Sequence, residues 1–148
     1  MLSGEEILKE IENGNIIITP FERSQLNPNS YNLTLGDEVT IFVESKLDVK
    51  VKPKTKKIPI PDEGLILMPN NLYLVSTNEY TETYNLVPQI SGRSSIGRVG
   101  LAVHTSAGYS EAGYCGKWHL SMFCSVPVKI FKGMQIGQIY YFPLVNGK

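Results

Sequence analysis

Residues 67–95 read LMPNNLYLVSTNEYTETYNLVPQISGRSS, and this stretch decides the fold class. Short runs of aliphatic and aromatic residues, which favour strands, alternate with Pro and Asn, which favour turns. We predict strands at Leu65–Met68, Leu72–Ser76 and Val87–Ile90, because turn residues bound each run. Many short strands at close spacing are typical of a sandwich or a barrel.

The same pattern extends over most of the chain, except at its start. Ser3 and Glu6 have the spacing of a capping box and precede apolar residues at helical spacing, so residues 3–13 predict a short helix. Further strands are predicted at Ile16–Thr19, Tyr31–Leu35, Val39–Val43, Leu101–His104, Trp118–Phe123, Val128–Ile130 and Gln138–Phe142. The chain is therefore predicted to be mainly β with a short N-terminal helix, folded as a single domain over residues 1–148.

Composition excludes several classes of protein. The 148 residues suffice for one core, and 14 Lys+Arg balance 14 Asp+Glu. A net charge of zero excludes binding of a DNA or RNA polymer by bulk electrostatics. No apolar run reaches the roughly 18 residues of a membrane-spanning helix, and the polar, acidic N-terminus is unlike a secretory signal. Two cysteines, Cys115 and Cys124, make no disulfide framework, which favours a cytoplasmic protein.

Residues 46–61, KLDVKVKPKTKKIPIP, form the one segment of biased composition, with six lysines and three prolines. One interpretation is a contact with an anionic surface or with nucleic acid. The other is an edge strand or loop, whose Lys and Pro residues discourage association of sheet edges. The alternation of Val and Ile with polar residues favours the second interpretation, as part of an ordinary hairpin.

The residue types most typical of a binding site lie at 91–98, in the sequence SGRSSIGR. Glycine lets the backbone approach an anion, serine hydroxyls donate hydrogen bonds, and arginine offers a charged planar fork to phosphate oxygens. A phosphate or triphosphate site is one interpretation. A surface turn with exposed arginines is the other, since turns rich in Ser and Gly are common.

The wider sequence resembles a known family. GRSSIGRVGL at 92–101, followed by VHTSAGYSEAGYCGKW at 103–118, resembles the core of the dCTP deaminase/dUTPase superfamily. LNPNSYNLTLG at 26–36 and GMQIGQIYYF at 133–142 resemble other segments of that family in the same order. The resemblance covers about residues 1–142. It implies a distorted jelly-roll β-barrel that assembles as a homotrimer or a multiple of one, with nucleotide sites between subunits.

The resemblance also implies roles for individual residues. Arg93, Ser95 and Gln138 match residues on the phosphate chain of the nucleotide. Ser94 and Arg98 match residues near the base and the reacting water. Without the resemblance, Gln138 reads equally well as a surface residue of a strand.

A second group of implied site residues lies in the following turn. Ala107 and Gly108 match the hairpin whose backbone reads the pyrimidine edge. Glu111 matches an acidic residue, usually Asp, that holds the deoxyribose 3′-hydroxyl and, in dUTPases, orients the attacking water. Tyr114 matches an aromatic residue against the sugar that helps exclude a 2′-hydroxyl. From the residues alone, Glu111 is equally consistent with a solvated carboxylate in a turn. Tyr114 is equally consistent with a packing residue of the barrel.

Three departures from the family pattern bear on activity. Ser121 stands where deaminases of the family have a glutamate that shuttles protons, and a serine hydroxyl does not titrate near neutral pH. His119 lies on the same strand face, either as a substitute proton carrier or as a packed histidine. Glu111 is one methylene longer than the usual Asp. The chain ends at Lys148, before the tail that closes over the triphosphate.

These departures lead us to expect an oligomeric nucleotide-binding protein without deaminase turnover. Its ligand would be a dNTP or a signalling cyclic nucleotide that it senses or sequesters, a use compatible with a virus-encoded protein acting in the host cytoplasm. The alternative is an active dCTP deaminase or dUTP diphosphatase of pyrimidine deoxynucleotide metabolism, with Glu111 as a catalytic residue. A protein-interaction module that uses the barrel surface is a third hypothesis.

We predict no metal site and no tightly bound cofactor, and allow Mg²⁺ alongside a triphosphate ligand. Zinc deaminases need an H-x-E motif with P-C-x-x-C, which is missing from this sequence. Cys115, His119 and Cys124 are close along the chain, but Cys124 should point to the opposite strand face from His119. The expected partners are a nucleotide and further copies of the chain, with no membrane.

Overall fold

The computed structural model describes residues 1–104 and 110–146. Strands dominate these ranges, and the helices are short. The helices are α1 (Gly4–Glu12) and the single turn α2 (Ser94–Gly97). The strands are β1 (Ile16–Thr19), β2 (Tyr31–Phe42), β3 (Thr55–Pro59), β4 (Leu65–Leu67), β5 (Tyr73–Thr83), β6 (Leu86–Gly92), β7 (Leu101–Val103), β8 (Cys115–Cys124), β9 (Val128–Ile130) and β10 (Gln135–Pro143).

Within the described ranges, eight strands form one antiparallel sheet that curves into a nearly closed barrel. Hydrogen-bonded neighbours follow the order β6-β10-β2-β5-β8-β7, while β1 also pairs with β5 and β3 with β2. Strands β4 and β9 form a separate two-stranded sheet. The predicted mainly-β barrel with a short N-terminal helix is therefore confirmed.

The barrel interior is filled by alternate residues of the long strands. Removing such side chains from water is the main favourable term in folding, about 1.5–3 kcal/mol for each large apolar side chain. The largest fully buried side chains on these strands are Tyr31, Leu33 and Leu35 of β2, Leu120 and Met122 of β8, and Ile136, Ile139 and Tyr141 of β10. The strand segments that were predicted from apolar runs supply this core.

Helix α1 begins where the sequence predicts. The Ser3 backbone N–H donates to Glu6 Oε2 at 2.8 Å, and the Glu6 N–H donates to Ser3 Oγ at 3.2 Å, which completes the capping box. Such a cap contributes about 1 kcal/mol. Ile7 is fully buried, so the apolar stripe packs on the barrel.

The two strands predicted at Tyr31–Leu35 and Val39–Val43 form one continuous strand, β2. Its register against β5 shifts between Leu35 and Val39, and this irregularity accommodates the polar residues in between. The sequence pattern loses its period of two at the irregularity, which is why it predicts a break. A side chain at Gly36 would collide with the Ser76 carbonyl, which passes 2.8 Å from the position of a Cβ.

The Lys- and Pro-rich segment contains an edge strand, which agrees with the interpretation of this segment as an edge strand or loop. Thr55–Pro59 pairs with one side of β2, and Lys57 Nζ lies 3.9 Å from Glu38 Oε2. The strand is shorter than the alternation of apolar residues indicates, because Val49 and Val51 are exposed in the connection that precedes it.

Strand β5 carries polar side chains into the barrel. Glu79 is only 1% exposed, and its carboxylate accepts hydrogen bonds from the Thr34 backbone N–H at 2.7 and 2.9 Å. Burial raises the pKa of this carboxyl, and the hydrogen bonds from Thr34 offset only part of that effect. Thr81 accepts a hydrogen bond from Trp118 Nε1 at 2.8 Å.

Candidate functional site

The Arg-Ser segment follows directly from the end of β6. Arg93 is the N-cap of α2, and its carbonyl accepts from the N–H groups of Ile96 and Gly97 at 3.0 Å each. The sequence predicts a loop here, and the structure shows a single helical turn, which is too short for helical periodicity to reveal. Neither Arg93 nor Arg98 forms an ion pair with a carboxylate of the described residues. Their charges are therefore available to an anion.

A cavity of about 640 Å³ opens beside this turn, and we call it the Arg-Ser cavity. Three of its lining residues, Arg93, Ser94 and Gln138, carry roles implied by the resemblance. Its remaining wall is formed by glycines, by residues of β7 and by the end of β8 with the residue that follows it, namely Gly92, Gly97, Gly100, Leu101, Ala102, Val103, Phe123, Cys124 and Ser125. The structure thus joins a cationic group, a hydroxyl and an amide around one space large enough for phosphate groups.

Gln138 reaches this cavity because β10 lies between β2 and β6. It pairs with Ser91 of β6 on one side and with Asn32 of β2 on the other. Its Nε2 donates to the Gly92 carbonyl at 3.2 Å, and its Oε1 accepts from Ser30 Oγ at 3.0 Å. Gln138 is therefore a fixed member of the cavity wall and not a free surface residue.

A second cavity, of about 400 Å³, lies at the start of β8 and is lined by Ser110, Glu111, Ala112, Gly113 and Tyr114. We call it the Glu-Tyr cavity. The Tyr114 ring packs on the Trp118 ring with centroids 4.4 Å apart, and its hydroxyl donates to the Lys117 carbonyl. Burial raises the pKa of Tyr114. Glu111 is exposed, whereas Ala107 and Gly108 lie outside the described residues.

The position of Ser121 follows the predicted alternation along β8. Trp118, Leu120 and Met122 are buried, whereas His119 is exposed and Ser121 is half-buried on the opposite face. His119 Nδ1 lies 3.1 Å from Ser76 Oγ on the neighbouring strand. The buried Cys124 also faces away from His119, as the sequence predicts.

His104 is a candidate that the sequence reasoning missed. Its backbone N–H donates to the Ser121 carbonyl at 2.7 Å, which places the two residues directly across β7 and β8. Its φ of 54° turns the chain out of β7 just before residues 105–109. Only the pairing of β7 with β8 reveals this proximity, because 17 positions separate the two residues along the chain. Both histidines of the chain therefore adjoin Ser121.

The described parts of the site fall into separate groups. The Arg-Ser cavity and the Glu-Tyr cavity have no lining residue in common. Ser95 and Arg98 are exposed next to the first cavity and line neither. Within residues 1–104 and 110–146, the residues that the resemblance assigns to one nucleotide thus line two cavities.

Two further features concern metals and membranes. Across the described ranges, no three His, Cys, Asp or Glu side chains cluster as metal ligands would. No helix in the same ranges is long and apolar enough to cross a membrane. The expectations about cofactors, cytoplasmic location and viral origin stay predictions.

Comparison with known proteins gives a family and close relatives. The family model described as dCTP deaminase-like matches residues 1–144. A protein of Clostridium botulinum named "dCTP deaminase, dUMP-forming" is 49% identical over 141 residues, which are 95% of this chain and 81% of the relative. A Cytophaga hutchinsonii protein of the same name is 47% identical over 148 residues, covering 100% of this chain and 84% of the relative.

Solved structures show the same fold at lower identity. The dCTP deaminase of Agrobacterium tumefaciens superposes with a TM-score of 0.75 at 18% identity, covering 95% of this chain and 47% of that chain. A dUTPase of Staphylococcus bacteriophage 80alpha gives 0.55 at 12% identity, covering 90% and 85%. The predicted resemblance to the dCTP deaminase/dUTPase superfamily is confirmed.

The expectation of a nucleotide-binding protein without turnover is wrong. It rested on Ser121, on Glu111 and on the end of the chain, yet relatives that are 46–49% identical over 95% or more of this chain are named as dUMP-forming deaminases. The replacement of one proton-carrying side chain by Ser121 therefore does not by itself decide whether the reaction takes place. Two histidines lie close to Ser121 in the fold, His104 across the strand pair and His119 two residues away on the same strand.

Proposed function

Because the chain belongs to the dCTP deaminase-like family, we propose that it is an enzyme that converts dCTP to dUMP. The observation that carries this proposal is its identity of 47–49% to relatives named "dCTP deaminase, dUMP-forming" over 95–100% of its length. The Arg-Ser cavity supports it, since it gathers phosphate-binding side chains on the wall of the barrel.

The conversion consists of two hydrolyses. In the first, water adds to C4 of cytosine, a proton moves from that water to the amino group, and ammonia leaves, which gives the uracil ring. In the second, water attacks the α-phosphorus and the bond to the β-phosphate breaks, which releases pyrophosphate and dUMP. The protein has to hold the triphosphate, orient two waters and carry protons at C4.

The Arg-Ser cavity would hold the triphosphate. Arg93 supplies a charged donor and Gln138 an amide N–H from the cavity wall, and Ser95, exposed beside the cavity, supplies a hydroxyl donor. Following the resemblance, we assign the Ser94 hydroxyl to the base and the reacting water. Arg98 adds a second positive charge at the end of the same turn. A Mg²⁺ ion would arrive on the nucleotide, where it neutralises phosphate charge.

The Glu-Tyr cavity would hold the sugar. Following the resemblance, we assign Glu111 to the 3′-hydroxyl and to the water that attacks the α-phosphorus, and Tyr114 to the face of the deoxyribose. The packing of Tyr114 on Trp118 and the hydrogen bond from its hydroxyl to the Lys117 carbonyl support this role, because a ring held in place excludes a 2′-hydroxyl by its volume. Ala107 and Gly108 keep their implied role at the pyrimidine edge.

We assign proton transfer at C4 to His104. Ser121 cannot perform it, and His104 lies across the strand pair from Ser121 at the entrance to the segment of Ala107 and Gly108. Histidine has the ordinary pKa that general acid–base catalysis near pH 7 requires. His119 is the alternative carrier, but its Nδ1 is directed at Ser76.

We further propose that the site is completed between copies of the chain in a homotrimer. The separation of the two cavities within one copy supports this, since an Arg-Ser cavity of one copy would face a Glu-Tyr cavity of the next. Light scattering at several concentrations tests it: a stable trimer or hexamer is expected, and a concentration-independent monomer would refute a shared site.

The function is tested by incubating the purified protein with excess dCTP and Mg²⁺ and separating the products by chromatography. We expect dUMP and pyrophosphate in amounts far above the number of sites, and Glu111→Ala should abolish their formation. Glu63→Ala, which changes an exposed turn carboxylate, is the matched control. Recovery of unchanged dCTP, or release of dUTP alone, would overturn the proposal.

A further inference from the structure

A chain of hydrogen bonds runs behind Gln138, away from the Arg-Ser cavity. Asn27 Nδ2 donates to Ser30 Oγ at 3.0 Å, and the Ser30 hydroxyl donates to Gln138 Oε1 at 3.0 Å. Gln138 Nε2 then donates to the Gly92 carbonyl at 3.2 Å. The chain joins the segment before β2 to the residue that precedes Arg93, although 108 positions separate Ser30 from Gln138.

The partners of Gln138 allow only one orientation of its amide. If the amide were flipped, Oε1 would face the Gly92 carbonyl oxygen, and two acceptors would oppose each other. The Ser30 oxygen already accepts from Asn27, so its proton is directed to Gln138 Oε1. With these contacts made, the second N–H of Gln138 Nε2 is the donor left to serve the cavity.

The donors behind Gln138 are themselves held in place. Ser30 and Asn32 are each 5% exposed, and Asn27 Nδ2 also donates to Asn32 Oδ1 at 2.8 Å. Asn32 Nδ2 donates to Gln135 Oε1 at 3.0 Å. Buried polar groups that are fully paired in this way fix side-chain orientation, because each unmade hydrogen bond is costly.

We propose that Ser30 is a positioning residue that sets the specificity of the Arg-Ser cavity for the triphosphate. Its hydroxyl keeps the Gln138 carbonyl turned away from the cavity and the Gln138 N–H turned toward it. Phosphate oxygens only accept hydrogen bonds. An amide whose N–H group faces the cavity therefore attracts them, whereas an amide whose oxygen faces the cavity repels them. This inference rests on the proposed function, since it concerns the same site.

The test compares dCTP with dCMP, which share base and sugar and differ in the β- and γ-phosphates. We expect Ser30→Ala to weaken dCTP binding and raise the KM for dCTP about tenfold, the loss typical of one hydrogen bond. Its affinity for dCMP should stay within about twofold of wild type, and kcat should change little. Ser24→Ala, at an exposed serine in the turn Arg23–Gln25, is the matched control and should bind both nucleotides like wild type.

A double-mutant cycle separates positioning from packing. In a Gln138→Met background, Ser30→Ala should have no further effect on dCTP, because Ser30 acts through the Gln138 amide. Ser30→Cys replaces the hydroxyl by a somewhat larger thiol, which is a weak donor, and should lose dCTP affinity as Ser30→Ala does. Ser30→Cys carries the test if Ser30→Ala does not fold. Thermal midpoints without nucleotide establish that each variant is folded.

The outcomes distinguish the two claims. Equal losses for dCTP and dCMP, unchanged dCTP binding in Ser30→Ala and Ser30→Cys, or full additivity with Gln138→Met would overturn the role of Ser30 while the proposed function stands. Failure of the wild-type protein to bind or convert dCTP would overturn the proposed function and the role of Ser30 with it.

Discussion

The Arg-Ser cavity and the Glu-Tyr cavity are built in different ways. The first lies between α2 and the strands β6, β7, β8 and β10, and hydrogen bonds with Ser30 and the Gly92 carbonyl hold Gln138 in its wall. The second is lined by the turn that precedes β8. The Gly113 N–H donates a hydrogen bond to the Thr83 carbonyl at 2.9 Å, and the Tyr114 ring packs on the Trp118 ring. One copy therefore holds the proposed phosphate-binding Gln138 from two neighbouring strands, whereas the residues proposed for the sugar and for proton transfer lie just after β7 and just before β8.

The largest effect is expected at the turn, from His104→Gln. If His104 carries the proton at C4, the rate of dUMP formation should fall by about 10²- to 10⁴-fold, which is the usual contribution of general acid–base catalysis. Binding of dCTP should change little. Stopped-time assays of ammonia release, together with titration of dCTP, measure both quantities.

His119→Gln is the matched variant for that experiment. We expect it to keep most of the activity, because His119 is exposed and faces Ser76. If His119→Gln lowers the rate and His104→Gln does not, the two histidines exchange roles and our assignment of the proton carrier is wrong.

The next effect is expected in the Arg-Ser cavity, from Arg93→Ala. Loss of a charged donor that no carboxylate of the described residues neutralises should weaken dCTP binding by on the order of a hundredfold, or about 2–3 kcal/mol. Calorimetric titration measures the loss. The exposed Arg23→Ala is the control, and equal weakening in both variants would show that net charge and not the cavity binds the nucleotide.

A smaller effect is expected at Tyr114, whose ring lines the Glu-Tyr cavity. Tyr114→Ala should lower the preference for dCTP over CTP by roughly tenfold, because the space next to the sugar then admits a 2′-hydroxyl. Competition between the two nucleotides in the dUMP assay measures it. Tyr84→Ala, at an exposed tyrosine, should leave the preference intact; a preference unchanged in Tyr114→Ala would remove this residue from the sugar site.

The smallest effect concerns stability and not the site. Burial raises the pKa of Glu79, so the folded state binds a proton more tightly than the unfolded state does. The free energy of unfolding should therefore fall as pH rises from the ordinary carboxyl pKa through the raised one, and become level above it. Glu79→Gln should remove this decline, and Glu63→Gln, at an exposed position, should not. Urea unfolding across this pH range tests both.

Much of the fold was predictable because it depends on local pattern. The capping box of Ser3 and Glu6, the apolar runs and the turn residues each act within a few positions, and the predicted helix and barrel class are confirmed. The continuity of β2 was not predictable, because a strand irregularity next to Gly36 is set by the partner strand β5 and not by β2 itself.

The residue types of the site could be predicted from the sequence, but their arrangement in space could not. The sequence points to Arg93, Ser94 and Gln138, and the structure brings these three to one cavity. The hydrogen bond of Ser30 to Gln138 and the position of His104 across from Ser121 depend on strand register over long sequence separations. Strand register is a property of the folded sheet, so no local sequence motif predicts either contact.

The measurement that tests the central claim most directly mixes two impaired variants at a dCTP concentration far below the Kd of Arg93→Ala. Under that condition Arg93→Ala should form dUMP at about a hundredth of the wild-type rate, because its binding is weakened about a hundredfold, and Glu111→Ala should form none. If the site is shared between copies, subunit exchange in a 1:1 mixture should restore about one quarter of wild-type activity, since half of the copies supply each intact cavity. A mixture that stays as inactive as its components, after exchange has been verified, would contradict a site assembled from both cavities.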